Sequence, residues 1–306
     1  MPAAVADLLP GLTVTAPQHA AGLTVFGLSG PADDPLDYAT LDDALAAGSL
    51  EVTELSEGGT VPTLKLVNRG GRVFLMAGEQ LVGAKQNRVL NTSLFVDAGA
   101  ELPVPVSCVE QGRWAYRSRQ FGSTATASHG KLRAIMAKQV SASYAAFARP
   151  ESVQGEVWRE VSRKLTAVGS SSDTVALEQA YDDRRDRLND ALTQLTPPAG
   201  CRGVVFAVHG RVVGADLFDR PATLAKLWPK LVRAYALDAL EQPDNAAPPP
   251  TAEAVQDWLR RACDAALRSY PSPGVGEDVR LTGPGVVGAG LVVDGRPVHV
   301  QLFAEA

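Results

Sequence analysis

Two segments of the chain repeat one residue pattern around a Gly-Arg pair. Phe206 to Phe218 reads FAVHGRVVGADLF, Leu291 to Phe303 reads LVVDGRPVHVQLF, and the two align without gaps. His209-Gly210 and Asp294-Gly295 stand where a tight primed turn needs positive φ, so each segment is predicted to be a β-hairpin. Either such hairpins recur by chance, or related hairpins extend one antiparallel sheet with the helices on one face.

The rest of the chain divides into three parts by periodicity: a strand-rich part over 1–127, a helical part over 128–200, and hairpins with helices over 201–306. Predicted strands in the first part are Leu23–Leu28, Leu50–Leu55, Val61–Val67, Arg72–Ala77, Arg88–Val96 and Leu102–Glu110. Predicted helices are Leu41–Ala47, Lys131–Phe147, Val153–Val168, Thr174–Leu195, Ala222–Leu240 and Ala252–Ser269. We therefore expect a single α+β domain over 1–306, a mainly antiparallel sheet built from hairpins with a block of helices packed against it.

Composition excludes several classes of protein. The net charge of the 306 residues is −5, which argues against a nucleic-acid binder that relies on phosphate neutralisation. No apolar run approaches the roughly 20 residues of a membrane span, and the N-terminus lacks the basic region of a secretory signal. Three scattered cysteines, Cys108, Cys201 and Cys263, are typical of a reducing cytosol. We expect a cytoplasmic protein.

Polar residues concentrate in two segments, Gly78 to Asn91 (GEQLVGAKQNRVLN) and Pro105 to Ser118 (PVSCVEQGRWAYRS), within otherwise apolar strands. Glu79 and Glu110 stand at predicted strand ends. Two carboxylates at the ends of neighbouring strands suit general acid and base catalysis, provided that their environments separate their pKa values. The alternative is that each carboxylate only forms an ion pair with Lys85, Arg88 or Arg113 and holds the loops.

The turn Gly83 to Arg88 offers donors suited to an anionic or phosphate-bearing ligand, with Arg88 able to bind it bidentately. An ordinary solvated turn is the alternative, and the GxxxxGK[ST] pattern is missing. Cys108 lacks a nearby histidine, so a small buried hydrophobe is favoured over a nucleophile. Trp114 and Tyr116 either stack on a base or sugar or pack at the rim of the core.

Two further features stay open in the sequence. The stretch from Arg117 to Gly130 is polar and rich in small residues, which predicts a mobile flap over the site. Asp216 follows the first Gly-Arg turn and is a candidate third carboxylate at the same sheet.

The two polar segments, together with LWPKLVRAYALDAL (Leu227 to Leu240) and the closing GAGLVVDGRPVHVQLF, resemble the ARG (ADP-ribosylglycohydrolase) and rhodanese-phosphatase-superfamily-associated protein family. The resemblance covers most of the chain from about Leu50 onward. It implies a ligand such as ADP-ribose or another NAD-derived nucleotide, and it supplies a substrate class more firmly than a mechanism. The polar positions matched to the motifs are Glu79, Lys85, Gln86, Asn87, Arg88, Asn91, Ser107, Cys108, Glu110, Arg113 and Trp114.

Taken together, the leading hypothesis is a hydrolase of a glycosidic or phosphoester bond in such a nucleotide. Glu79 is the expected general base and Glu110 the partner acid or water-orienting group. The expected substrate-binding residues are Lys85, Gln86, Asn87, Arg88, Asn91, Ser107, Cys108, Arg113 and Trp114.

Three alternatives remain at this stage. The first is a non-catalytic module that senses or carries the nucleotide, and the second is a hydrolase assisted by Mg²⁺ or Mn²⁺ on Glu79, Glu110 and Asp216. The third is an interaction scaffold that uses its helical surface. The sequence indicates no certain cofactor or metal ligand, a small-molecule partner, and neither nucleic acid nor membrane as a partner.

Overall fold

A computed structural model of the chain describes residues 2–31, 35–243 and 247–305. Over these residues the chain forms eight α-helices, one short 3-10 helix and 17 strands, and almost all strand pairs are antiparallel. The fold is α+β, as the sequence predicts. None of the described helices is both long and apolar enough to cross a membrane.

The largest sheet contains both repeated hairpins. Its spatial order is β1 (Thr13–Ala20), β2 (Leu23–Ser29), β12 (Gly203–Val208), β13 (Arg211–Phe218), β17 (Arg296–Ala304), β16 (Val286–Val293), β15 (Glu277–Gly283) and β14 (Ala266–Pro271). The hairpins β12–β13 and β16–β17 join along β13 and β17, where Asp216 faces Gln301 across the strands. The expectation that the two hairpins extend one antiparallel sheet is confirmed.

Positive φ angles at both hairpin turns explain the residues found there. His209 and Gly210 have φ of 46° and 79°, and Asp294 and Gly295 have φ of 51° and 77°. Two consecutive left-handed residues define the primed turn, whose twist matches that of the flanking strands.

Helices cover both faces of this sheet, so the expectation of helices on one face is wrong. The helices are α1 (Pro2–Leu8), α2 (Leu41–Ala46), α3 (Gly130–Phe147), α4 (Gln154–Ala167), α5 (Leu177–Asp183), α6 (Arg185–Gln194), α7 (Pro221–Ala239) and α8 (Ala252–Cys263). Phe206 packs in one core with residues of α7, whereas its neighbour Val205 packs in another with Val255 and Leu259 of α8. Successive residues of a strand point to opposite faces, and both faces here are apolar.

The first half of the chain builds a second sheet system. One sheet has the order β11 (Phe121–Ala127), β7 (Glu79–Gly83), β8 (Arg88–Leu90), β10 (Glu101–Cys108), β5 (Thr63–Asn68) and β4 (Leu50–Glu54), and beside it lie β3 (Ala39–Thr40), β6 (Val73–Leu75) and β9 (Leu94–Val96). A bridge between Thr53 and Gln120 links the two edges of the larger of these sheets. The sheet therefore curls toward closure around its own apolar core.

Several predicted elements need correction. The strand predicted over Arg88–Val96 is two strands, because the chain leaves one sheet and enters another at Asn91 to Ser93. Half of the flap predicted over Arg117–Gly130 is the strand β11, whose Phe121 pairs with Gly83 of β7. The helix predicted to reach Ser269 ends at Cys263, and β14 follows from Ala266. The helix predicted over Thr174–Leu195 is divided at Arg184 into α5 and α6.

Candidate functional site

The turn between β7 and β8, Gly83 to Arg88, is called the motif turn below. Gly83 and Ala84 have positive φ of 115° and 37°, and a Cβ on Gly83 would lie 2.5 Å from Ser118 Oγ. Ala84 N donates a hydrogen bond of 3.0 Å to that same hydroxyl. Glycine suits a backbone that is left-handed and in direct contact with a neighbour. The two polar segments of the sequence are therefore built against each other.

Glu110 stabilises the motif turn by accepting hydrogen bonds on its buried side. Its buried carboxylate accepts hydrogen bonds from Arg113 Nε at 2.9 Å and Nη2 at 2.7 Å, from Asn87 N at 3.1 Å and from Thr174 Oγ1 at 2.9 Å. Burial opposes its ionisation, but the hydrogen bonds from Arg113, Asn87 and Thr174 outweigh burial and lower the pKa of Glu110 below its ordinary value. Near neutral pH Glu110 is an ionised anchor without a proton to donate.

Arg113 is the cationic partner of that anchor. Its Nη1 donates to Ala84 O at 2.6 Å and to Ala115 O at 2.9 Å, and Nη2 donates to Asn87 Oδ1 at 3.1 Å. The guanidinium is buried, with 8% of its side chain exposed. Its donors are directed at carbonyl, amide and carboxylate oxygens of the protein, so Arg113 stabilises the motif turn through internal hydrogen bonds.

Arg88 is less completely satisfied. Its fully buried guanidinium donates through Nη1 to Gln86 O at 3.3 Å and to Gln86 Oε1 at 3.1 Å. Its Nη2 lies 3.6 Å from Glu54 Oε1, beyond ordinary hydrogen-bond distance. Both Arg88 Nε and Nη2, and also Glu54 Oε2, are buried without a hydrogen-bond partner among the described residues. Arg88 and Glu54 thus form a loosely closed buried ion pair.

Above these buried cations lie two aromatic side chains open to solvent. Trp114 and Tyr116 are 47% and 50% exposed. Lys85 Nζ lies 5.4 Å from the Trp114 ring and 5.0 Å from the Tyr116 ring, and Arg88 Cζ lies 5.6 Å from Trp114. Lys85 Nζ also donates to Gly58 O at 2.8 Å. We call the surface formed by Trp114 and Tyr116, with the buried cations Lys85 and Arg88 beneath it, the Trp114 face; it combines flat apolar area with nearby positive charge.

Asn91, Ser107 and Cys108 lie elsewhere, against the start of α4. Ser107 Oγ donates to Asn91 Oδ1 at 2.7 Å and also contacts the Ser152 hydroxyl. Gln154 clasps the backbone of Cys108, accepting from its N–H and donating to its carbonyl, both at 2.8 Å. Burial raises the pKa of the Cys108 thiol to about 11, so it stays protonated. These three residues tie β10 to α4.

Glu79 has a cationic partner of its own, away from Glu110. Its buried carboxylate accepts from Lys230 Nζ at 2.6 Å and from Met76 N at 2.7 Å. Lys230 Nζ also donates to Asp42 Oδ1 at 2.7 Å and to Ser123 Oγ at 2.9 Å. Burial raises the pKa of Glu79, although the Lys230 ammonium offsets part of that rise.

The register keeps the two glutamates apart. Gly78 N donates to Leu90 O beside Glu79, whereas Glu110 accepts from Asn87 N. Leu90 at the end of β8 and Asn87 just before β8 are three residues apart, or about 10 Å of extended chain. Glu79 and Glu110 therefore lie in separate charge clusters.

A family model described as the ARG and Rhodanese-Phosphatase-superfamily-associated Protein domain, ARPP-1, matches residues 11–303. The chain belongs to this family. No curated protein and no solved structure is significantly similar to the chain. The match confirms the resemblance of the polar segments, and it covers both sheet systems.

Within the ARPP-1 domain the residues expected at the site fall into three groups. The first surrounds the motif turn and comprises Lys85, Gln86, Asn87, Arg88, Glu110, Arg113 and Trp114. Asn91, Ser107 and Cys108 form the second group, at α4, and Glu79 lies with Lys230 in the third. Among the described residues, no three His, Cys, Asp or Glu side chains form a group that could hold a metal ion.

Asp216, the candidate third carboxylate, is buried in the large sheet of the ARPP-1 domain. Arg133 donates to it through Nη1 at 2.9 Å and Nη2 at 2.5 Å, and His299 Nε2 lies 3.1 Å away. Burial opposes ionisation, but Arg133 and His299 lower the pKa of Asp216 well below its usual range. Asp216 anchors α3 to β13 and does not join Glu79 or Glu110.

Sequence reasoning missed two carboxyl groups of the ARPP-1 domain. Glu54 ends β4, in which Leu50, Val52 and Glu54 are the buried residues. Alternation alone places Glu54 on the apolar face with Leu50 and Val52, and an inward glutamate requires a partner. That signal is present in the sequence LEVTE.

Glu178 of α5 is the second group, and no local pattern marks it. It lines a cavity of 280 Å³ together with Thr126, Asp182, Arg185, Asn189 and Arg233, among others. Burial raises the pKa of Glu178 to about 7. Gln80 Nε2 donates to Thr126 Oγ1 at 3.1 Å, and that hydroxyl donates to Glu178 Oε2 at 3.0 Å. This relay joins the first polar segment to the cavity.

Proposed function

We propose that the chain binds ADP-ribose or a related NAD-derived nucleotide on the Trp114 face and holds it without hydrolysing it. In this proposal the protein is a cytoplasmic nucleotide-sensing or nucleotide-carrying module. One observation carries the proposal: Trp114 and Tyr116 are half exposed and stand directly over Lys85. The nucleotide class comes from the family context, and the surface chemistry is compatible with it.

Stacking supplies the first part of the proposed recognition. A base presents a π-face to an aromatic side chain, and such stacking contributes about 1–3 kcal/mol per base. Folding leaves Trp114 and Tyr116 exposed although each ring would gain from burial. The Lys85 ammonium lies about equally far from the two rings and contacts both.

Exposed cations close to these rings in the sequence supply the second part. Arg117 and Arg119 follow Trp114 in the second polar segment and are exposed. The Arg117 side chain is 64% exposed, and Nη2 lies 4.0 Å from Glu110 Oε1. Because Arg113 is used inside the motif turn, these two arginines are the better candidates for binding phosphate oxygens.

The carboxylates favour binding over hydrolysis by the predicted pair. A general acid and base must hold their protons at matched pKa values within reach of the same substrate. Glu110 is ionised and accepts four hydrogen bonds, and Glu79 is enclosed with Lys230 and Asp42. Their proposed role is to neutralise cations that shape the motif turn and β7.

Hydrolysis is the second candidate, and Glu178 favours it. A carboxyl group with a pKa of about 7, lining a cavity beside Arg233, has the properties of a general acid or base. Arg233 Nη1 and Nη2 donate to Ala125 O at 3.1 Å and Asn189 Oδ1 at 3.0 Å. No carboxylate lies within ion-pair distance of Arg233 among the described residues. Its charge is therefore available to a phosphate.

One experiment separates the two candidates. ADP-ribose, NAD and ADP are titrated into the protein by calorimetry, and each mixture is then incubated and separated chromatographically, with and without Mg²⁺ or Mn²⁺. Binding without product supports the module, whereas product formation contradicts it. If product forms, Glu178→Gln, Glu79→Gln and Glu110→Gln identify the acid or base, since loss of proton transfer costs about a hundred-fold or more in rate.

A further inference from the structure

A groove that shares no residue with the Trp114 face carries a charge arrangement that the proposed function does not use. It lies between α3 and strands β14 to β16, and its cavity of 520 Å³ falls in the range of small-molecule sites. We call it the α3 groove. Residues that line it are Lys138, Ser141, Ala142 and Ala145 of α3, Ala266, Arg268, Tyr270, Arg280, Thr282 and Val287 of the sheet, and Glu305.

Two arginines lie directly opposite each other in the floor of the α3 groove. The register pairs Arg268 of β14 with Arg280 of β15, and Tyr270 with Asp278. Leu281, the residue after Arg280, packs in the apolar core on the other face of the sheet. Like charges at directly opposed positions of an antiparallel pair destabilise the sheet. An anion between the two guanidinium groups would remove that repulsion.

The arginines are only partly neutralised by the protein. Arg280 Nη2 donates to Asp278 Oδ2 at 2.5 Å and to Thr92 Oγ1 at 2.8 Å. Arg280 is 3% exposed, and its Nε and Nη1 have no hydrogen-bond partner among the described residues. Arg268 is exposed and has no carboxylate within ion-pair distance in the described part of the chain.

The remaining charged groups limit how negative an occupant can be. Lys138 Nζ pairs with Glu305 Oε1 at 2.7 Å, and both side chains line the α3 groove. The groove therefore has three cations, Lys138, Arg268 and Arg280, and two carboxylates, Glu305 and the more deeply placed Asp278. This leaves a surplus of about one positive charge, which suits a singly or doubly charged ligand.

The groove also offers apolar and aromatic surface beside the cations. Tyr270 stacks on Tyr144 with ring centroids 4.5 Å apart, and Arg280 Cζ lies 5.2 Å from the Tyr144 ring. Ala142 and Ala145 form the opposite wall from α3. A ligand that satisfies both surfaces is an acid with a compact apolar or aromatic body.

We propose that the α3 groove binds a small organic anion whose phosphate or carboxylate group lies between Arg268 and Arg280. Its apolar body would lie along Tyr270 and the α3 wall. This site is separate from the Trp114 face, and its existence does not depend on the nucleotide proposal.

Calorimetry with phenyl phosphate, benzoate and inorganic phosphate tests the site. Binding of phenyl phosphate or of benzoate identifies which acidic group is preferred, and weaker binding of inorganic phosphate shows the contribution of the apolar body. Arg268→Gln should weaken binding by about tenfold or more. Arg260→Gln is the matched control, because Arg260 is an exposed arginine on α8 that pairs with Asp257. No binding of either aromatic acid at millimolar concentration, or equal affinity in both variants, would overturn the proposal.

A second readout keeps the test decisive if affinities are weak. Removing the opposed charge should make ligand-free Arg268→Gln at least as resistant to heat as the wild type, while phenyl phosphate should raise the Tm of the wild type only. Ala142→Leu, a substitution compatible with a helix, should fill the α3 groove and abolish binding while the fold is retained. A wild-type Tm that phenyl phosphate and benzoate leave unchanged would contradict the site.

Discussion

The motif turn and the α3 groove differ in how completely their charged side chains are paired within the protein. Under the motif turn, the Glu110 carboxylate accepts four hydrogen bonds and Arg113 donates into the surrounding backbone. In the α3 groove, Arg268 and Arg280 face each other, and among the described residues Asp278 is the one carboxylate within ion-pair distance of either. Glu110 and Arg113 are therefore paired without a ligand, whereas Arg268 and Arg280 together keep unpaired positive charge in the described part of the chain. Polar residues that are conspicuous in a sequence can thus be internal supports, while ligand-facing groups can lie in segments that attract no notice.

The sharpest test of this contrast is Glu110→Gln. Removing one partner of a buried ion pair leaves the Arg113 charge without compensation, so the free energy of unfolding should fall by about 3–5 kcal/mol. Denaturant unfolding measures the loss. The control is Glu101→Gln, since Glu101 pairs with Lys65 at 2.6 Å on the surface and its removal should cost about 1 kcal/mol or less. Equal losses in the two variants would contradict the supporting role of Glu110.

Glu178→Gln examines a carboxyl group of the opposite kind, one whose pKa is raised to about 7 by burial. The unfolded pKa is about 4.3, so ionising Glu178 costs stability as the pH rises from that value to 7. At pH 8 the glutamine variant should therefore be more stable than the wild type by up to about 4 kcal/mol. At pH 4 the two should unfold at the same denaturant concentration. If the variant is less stable than the wild type at pH 8, the ionised Glu178 carboxylate stabilises the fold, which contradicts this prediction.

Acid titration sharpens the same comparison. The pKa of Glu110 is lowered in the folded protein, so its stabilisation is complete above the unfolded pKa of about 4 and is lost as the pH falls further. Below pH 4 the wild type should lose up to about 1.4 kcal/mol per pH unit for each such group. Stability measured at pH 4, 3 and 2 should fall less steeply in Glu110→Gln than in the wild type. If the free energy of unfolding falls equally steeply with pH in both proteins, Glu110 does not contribute to the acid dependence of stability.

Trp114→Ala is expected to have the smallest effect on stability. The ring is half exposed, and its contacts with Lys85 and Arg88 are cation–π contacts of about 0.5–1 kcal/mol near the surface. Thermal unfolding should therefore change little. A large drop in Tm would mean that Trp114 is a structural part of the motif turn rather than a ligand platform.

Local sequence rules predicted the parts of the fold that local physics determines. Positive φ at His209-Gly210 and Asp294-Gly295 followed from the turn chemistry, and the helix predicted from Leu41 begins at that residue, with Thr40 as its N-cap. The wrong predictions lie where contacts with distant residues decide the secondary structure. The segment after Cys263 is helical by periodicity, yet Ala266 to Pro271 gains a strand partner in β15.

The site was harder to predict because partners come from distant segments. Lys230 reaches Glu79 from α7, and Thr174 reaches Glu110 from the segment before α5. Strand alternation could have identified Glu54, but nothing local indicates that Arg268 would face Arg280. Residue type and spacing therefore located the motif turn without revealing that Glu110 and Arg113 pair with each other inside the protein.

The most direct measurement for the central claim is a calorimetric titration of ADP-ribose into three proteins: the wild type, Trp114→Ala and Phe147→Ala. Phe147 is the control because it is a large aromatic side chain, 72% exposed, at the end of α3. Loss of one stacking contact of about 1–3 kcal/mol should weaken binding to Trp114→Ala by about fivefold or more, with Phe147→Ala unchanged. Equal affinity in all three proteins, or no binding by the wild type, would contradict the assignment of the Trp114 face.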